Sequence, residues 1–179
     1  MNINKTIIPL SLILLCTAAA CNMDDKDKDY TDWKKQNEQY FDEQKALRTD
    51  DGNLYYNYEA PVWAPEAGVL RRWHVRNPKH AEMLKPLSNS TVTVKYEGRL
   101  CDGSIFDSSY TKQDSAYTCR PSALVTGFWS TLTEMVPGDS VTVVIPPVAG
   151  YGAVLHGNIK PFSVLVFDIK MKSIDSYYK

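Results

Sequence analysis

The sequence predicts an α+β fold: an antiparallel half-barrel sheet wrapped around one short helix, with a helical arm before it. Three observations predict it. Thr91-Val92-Thr93-Val94-Lys95-Tyr96 alternates polar with apolar or aromatic residues, which puts Val92, Val94 and Tyr96 on one face of a strand. Asp102-Gly103 is a tight-turn dipeptide, and a second strand starts at Ser104-Ile105-Phe106, so pairing across the turn brings Tyr96 and Phe106 to the same side. Apolar residues at 125, 128, 129, 132, 135 and 136 have helical spacing, stopped by Pro137-Gly138-Asp139. Strands, one helix, then strands again give an antiparallel sheet with the helix on one face.

The elements follow in chain order. Residues 1–21, MNINKTIIPLSLILLCTAAAC, place Lys5 before a short apolar run from Ile7 to Cys16, then small residues up to Cys21. That is the pattern of a secretory signal, too short for a spanning helix. Ala18-Ala19-Ala20 before Cys21 resembles the lipobox of bacterial lipoproteins, although Ala18 stands where Leu is usual. The resemblance implies an acylated Cys21, a lipid bilayer as partner and a place in the cell envelope, with the outer membrane expected. Six of the eight residues 22–29, NMDDKDKD, are charged, and the stretch predicts a solvated tether. Asp24-Asp25 resembles signals that send some lipoproteins to the cell surface.

Residues 30–47 predict a helix, with Trp33, Tyr40 and Leu47 at seven-residue spacing and Thr31 as a cap. The helix is too short for a dimerising stalk, so it is expected to pack on its own domain in a monomer. Residues 48–66 read as an irregular, tyrosine-rich connector containing Pro61 and Pro65. The expected division is therefore a signal over 1–20, a tether, helix and connector over 21–65, and a folded domain over 66–179. Within that domain Val69–Val75 predicts a strand ended by Asn77-Pro78, residues 110–123 predict an irregular segment, and Val141–Ile145 predicts a strand closed by Pro146-Pro147. A glycine-containing loop over 148–162 leads to a last strand, Ser163–Met171. Leu165, Phe167, Ile169 and Met171 share one face of it, and Val164 and Val166 lie on the other.

Composition narrows the function. Of the 179 residues 44% are hydrophobic and 23% charged, the balance of a globular chain, and the net charge of -1 excludes nucleic acid as the main partner. The four cysteines form no C-x-x-C, and His74, His80 and His156 have no ligand spacing with one another or with a carboxylate, so no metal is expected.

Three stretches, VTVKYEGRLCDGSIFDSSY (92–110), LVTGFWSTLTEMVPGDSVTVVIPPVAGYG (124–152) and IKPFSVLVFDIKMKSI (159–174), together resemble the FKBP-type peptidyl-prolyl isomerases. The resemblance implies an FKBP-like fold whose inner sheet face and helix enclose an aromatic pocket for a prolyl ring. It implies catalytic roles for Tyr96, Phe106, Asp107, Tyr151 and Phe167. Leu124, Val125, Phe128, His156 and Ile159 would bind substrate. Phe128 would be the floor, Tyr151 a hydroxyl donor to a substrate carbonyl, and His156 and Ile159 part of a flap. The partners implied are proline-containing polypeptides, and no cofactor is needed.

The sequence departs from that pattern in three places. Phe128 stands where the family usually has Trp, and Trp129, one step along the helix, points about 100° away. In the run SAYTCRPSALVTG only Tyr117 is aromatic, so one pocket-wall aromatic is expected to be missing. Lys160-Pro161-Phe162 replaces a usual double proline in the flap. Export would allow a disulfide between Cys101 and Cys119 if their Cα atoms came within about 4.4–6.8 Å. The expected function is a lipid-anchored isomerase acting on X-Pro bonds of exported proteins. The alternative is an FKBP-fold chaperone or binding module that grips proline-containing segments with little turnover.

Overall fold

Along strand β3 (Thr91–Leu100) Val92, Val94, Tyr96 and Gly98 are buried, and the residues between them are more exposed, as the alternation requires. The computed structural model describes residues 24–111 and 115–177; the expected signal segment and Cys21 lie outside them. Helix α1 (Asp24–Ala46) is followed by β1 (Asn57–Glu59), β2 (Val69–Val75), β3, β4 (Ile105–Ser108), β5 (Tyr117–Cys119), α2 (Thr126–Leu132), β6 (Ser140–Ile145) and β7 (Leu165–Ser176). The strands form one antiparallel sheet in the order β1-β2-β6-β7-β3-β4. β5 shares the far edge of β3 with β4, pairing with Val92–Val94 while β4 takes the Glu97–Arg99 end.

The two faces of the sheet bury different clusters. Val92, Val94, Tyr96, Val141, Val143, Ile145, Leu165, Phe167, Ile169 and Met171 point inward against α2, which contributes Phe128 and Leu132. Helix and sheet approach closely at Gly127, where a Cβ would lie 2.5 Å from Ile145 Cγ2. On the opposite face Leu70, Val144, Val164 and Val166 pack with Tyr56, and Tyr40 and Phe41 of α1 lie against them. The strand β7, with one apolar face inward and one outward, is thus covered on both sides.

Several expectations are corrected. Helix α1 begins at Asp24, so most of the expected tether is helical; extending a helix already docked at Trp33 and Phe41 adds one backbone bond per residue fixed. The docked stripe is Trp33, Asn37, Tyr40 and Phe41, and Leu47 lies beyond the helix, 41% exposed. The connector is not wholly irregular, because β1 adds to the sheet edge and its Glu59 carboxylate accepts from buried Arg71 at 2.6 Å. Residues 110–123 likewise contain β5. Helix α2 is shorter than its spacing suggests: Glu134 N–H donates to Thr131 O and Met135 N–H to Leu132 O, tightening the chain after Leu132 while Met135 and Val136 stay buried. β7 continues past Met171 to Ser176 against Thr91–Val92.

His80 meets a carboxylate after all. Asp139 is fully buried; it accepts from the backbone N–H groups of Asn77 at 2.7 Å and Val136 at 3.0 Å, and His80 Nδ1 lies 2.8 Å from it. These bonds hold the turn at Gly138, whose φ of +96° suits glycine. Cys101 and Cys119 are free thiols. Cys119 pairs with Val92 at one end of β3 and Cys101 follows Leu100 at the other. At about 3.3 Å per residue the strand holds them about 30 Å apart, far beyond disulfide reach.

Candidate active site

A cavity of about 330 Å³ opens between α2 and the inner sheet face. Each wall comes from a different element. β3 supplies Tyr96, β4 supplies Phe106 and Asp107, and β7 supplies Phe167. β5 supplies Tyr117. The segment entering α2 supplies Ala123, Leu124 and Val125, and the helix itself supplies Phe128. Tyr151 and His156 come from the loop after β6.

The aromatic rings meet edge to face. Phe167 is central: its ring lies 4.8 Å from Phe128, 5.4 Å from Phe106 and 6.0 Å from Tyr96, with interplanar angles of 82°, 83° and 64°. Such arrangements satisfy the ring quadrupoles and stiffen the walls. Room for them depends on Gly98, where a Cβ would stand 2.7 Å from both Phe106 and Phe167. Phe128 is nearly fully buried and closes the base of the cavity. Trp129 plays no part there; it stacks on Trp63 at 4.4 Å on another side of α2.

The polar side chains at the cavity are those of Tyr96, Asp107, Tyr117, Tyr151 and His156. The Tyr96 hydroxyl donates to Asp107 at 2.5 Å. Burial, and then the hydrogen bond and charge of Asp107, hold the Tyr96 hydroxyl far above its ordinary pKa. Burial likewise raises Tyr151 and Tyr117, with Asp107 adding to both, and pushes the Cys119 thiol up to about 11. All of these groups are protonated near neutral pH, so the phenols remain donors. Tyr151 is stacked on His156, with ring centroids 4.0 Å apart and planes 10° from parallel.

Nine of the ten residues singled out from the sequence thus line one cavity. The exception is Ile159, which is buried in the core and pairs with His156 through two backbone bonds, Ile159 N–H to His156 O at 2.9 Å and His156 N–H to Ile159 O at 3.0 Å. Tyr117, the one aromatic of the run SAYTCRPSALVTG, lines the cavity and packs edge-on to Tyr96 at 5.6 Å; the other residues of that run at the cavity are the aliphatic Ala123, Leu124 and Val125. Tyr117 is carried by the three-residue strand β5, where it pairs with Val94, and that strand is too short to show a period in the sequence. An apolar cup of this kind, with hydroxyl donors at its edge, suits a small apolar ring flanked by carbonyl groups.

The comparisons with known proteins agree with this geometry. The family model for FKBP-type peptidyl-prolyl cis-trans isomerase matches residues 83–172. The chain is 38% identical over 90 residues to the peptidyl-prolyl cis-trans isomerase Mip of Coxiella burnetii, a match covering 50% of this chain and 39% of that protein. It is 35% identical over 89 residues to the FKBP-type isomerase FkpA of Escherichia coli, covering 50% and 33%. The crystal structure of a peptidyl-prolyl cis-trans isomerase from Pseudomonas syringae superposes with a TM-score of 0.64 at 28% identity, over 82% of this chain and 96% of that one. The matches to Mip and FkpA span between a third and two fifths of those proteins' lengths.

Proposed function

Because the chain belongs to the FKBP-type peptidyl-prolyl cis-trans isomerase family, we infer that it accelerates rotation about X-Pro bonds, with the cavity at Phe128 and Phe167 as its active site. The observation that carries this reading is the set of Tyr96, Phe106, Phe128, Phe167 and Tyr151 around one cavity. Amide rotation has a barrier of about 18–20 kcal/mol because the C–N bond is partly double. For X-Pro bonds the two isomers differ by only about 0.5–1 kcal/mol, so both are populated. The twisted amide has lost resonance and separates less charge. It is better accommodated by an aromatic cup than by water.

Each residue has a part. Phe128 and Phe167 receive the ring. Tyr96 is locked by Asp107 and forms a wall. The Tyr151 hydroxyl, kept protonated, donates to a carbonyl next to the turning bond. Catalysis is stronger binding of the twisted state, with no covalent intermediate. The clients proposed are proline-containing segments of exported proteins, met from a lipid anchor at Cys21 in the cell envelope. Among the described residues no helix is long and apolar enough to cross a membrane.

A second reading is a binding module with little turnover. Phe128 favours it, because a benzyl floor makes fewer contacts than an indole and donates no hydrogen bond. The deciding experiment is a cold, protease-coupled isomerisation assay of the full-length protein in detergent on X-Pro tetrapeptides. Acceleration that falls about tenfold or more in Tyr151→Phe, with an unchanged melting temperature, supports the enzyme. No acceleration by the folded protein, with several residues tried before proline, supports the binding module.

A further inference from the structure

Trp33 and Asn37 stand one turn apart on α1, are 8% and 0% exposed, and touch the loop that carries the cavity rim rather than the cavity itself. The Trp33 indole N–H donates to Ser163 Oγ at 3.0 Å, and Ser163 Oγ–H in turn donates to Lys160 O at 2.7 Å. Asn37 Oδ1 accepts from Val164 N–H at 2.7 Å, and Asn37 Nδ2–H donates back to Trp33 O at 2.7 Å. Two cation–π contacts interlock around these bonds: Lys160 over Trp33 at 5.1 Å and Lys34 over Phe162 at 5.2 Å.

The loop so gripped is the flap, residues 152–162. Its base is closed by Phe162 N–H donating to Gly152 O at 2.7 Å. Phe162 has φ +64°, a conformation that residues with a Cβ rarely adopt, so the closure needs support from outside the loop. Farther along, His156 stacks on Tyr151 and pairs with Ile159. Surface loops open at low free-energy cost unless tied down, and rim residues held in place lose less freedom on binding.

We propose that Trp33 is a positioning residue for the cavity: through Ser163 it orients the flap, and with Asn37 behind it makes α1 part of the active-site support. A helix docked only for stability would act anywhere on the outer sheet face. This one places its hydrogen bonds at the point where the flap re-enters the sheet. The activity arm of the test rests on the isomerase reading; the exchange arm does not.

The test uses the full-length protein in detergent and compares Trp33→Phe, Ser163→Ala, their double variant, and Phe41→Ala as a control on the same helix away from the flap. Amide hydrogen exchange over 152–162 is measured beside kcat/KM on the probe Ala-Leu-Pro-Phe p-nitroanilide. Trp33→Phe keeps an aromatic ring and deletes the donor. It is expected to speed flap exchange and lower kcat/KM about three- to tenfold. Ser163→Ala should do the same, and the double variant should be no worse than the worse single one. Phe41→Ala should lower the melting temperature and leave flap exchange and kcat/KM within about twofold. Wild-type flap exchange in Trp33→Phe, or an equal disturbance of the flap by Phe41→Ala, overturns the proposal. If the wild-type protein shows no catalysis, the isomerase reading falls, and the exchange arm still decides the role of Trp33.

Discussion

The Tyr96 hydroxyl donates to the Asp107 carboxylate across 2.5 Å, joining neighbouring strands whose backbones already pair at Gly98 and Asp107. The two ends of this bond sit in different surroundings: Tyr96 is buried, and Asp107 reaches solvent. Deleting either partner should therefore have unequal effects. Asp107→Leu leaves a buried hydroxyl without its acceptor and should cost about 1–3 kcal/mol, whereas Tyr96→Phe leaves a hydrated carboxylate and should cost about 0.5–1.5 kcal/mol. The double variant should be more stable than Asp107→Leu alone. Urea denaturation of the three proteins checks the order, and equal losses in the two single variants would contradict it.

Gly98 gives a sharper test of the cavity walls. Gly98→Ala drives a methyl group into Phe106 and Phe167, and should cost about 1–3 kcal/mol by overpacking while lowering kcat/KM by about tenfold or more. Gly103, in the β3–β4 turn, has φ +82° and nothing within 4 Å of a Cβ. Gly103→Ala should cost about 1–2 kcal/mol through backbone strain and leave kcat/KM unaltered. Parallel melting curves and rate assays separate the two effects.

Arg71 is 3% exposed, with Glu59, Ser130 and Thr131 around its guanidinium at 2.6, 3.0 and 3.1 Å. Ser130 and Thr131 also donate to Gly127 O, so each hydroxyl keeps a partner if the arginine is removed. A buried charge stripped of its counter-ion has no such alternative. Glu59→Ala should cost about 3 kcal/mol, the low end for a buried pair because Glu59 is itself 38% exposed, and Arg71→Met should cost less. Denaturation midpoints of the two variants test this reversal of the usual expectation that the buried member matters more.

Burial is the largest cause raising the pKa values of Tyr40, Tyr56, Tyr96, Tyr117, Tyr151, Cys101 and Cys119. A raised folded value contributes stability that is complete below the unfolded pKa and is lost as pH rises through the folded one. Unfolded thiols and phenols titrate at about 8.5 and 10. The protein should therefore hold its stability through neutral pH and lose it progressively from about pH 9 upward. Urea midpoints at about pH 7, 9 and 11 read this directly, and a midpoint that climbs between the last two has the wrong sign.

The parts of the fold legible in the sequence are those whose two faces differ. β2 and β3 fall where the patterns predict, and from Val164 into β7 the alternation of Leu165 and Phe167 with Val164 and Val166 sorts the residues between two buried clusters. β1 and β5 were not legible, because three residues at a sheet edge carry no period. The helical state of Asp24–Asp29 was hidden because charged residues signal a tether, whereas this stretch extends a helix anchored farther on. His80 and Asp139 lie far apart in sequence, and only the folded turn at Gly138 brings them together. The aromatic wall residues were legible only as a set matching a known family; singly, each reads as core.

The strand seated between β6 and β3 is also the last of the described strands to be synthesised. A nascent chain that has released residues only up to the flap holds two unjoined pieces, β2 with β6 and β3 with β4 and β5, each with a raw edge. Neither can close until Leu165–Ser176 slides between them. The order of synthesis thus defers completion of the cavity, whose wall includes Phe167, until Leu165–Ser176 has been made, and any chain cut short before that strand would emerge as an aggregation-prone fragment.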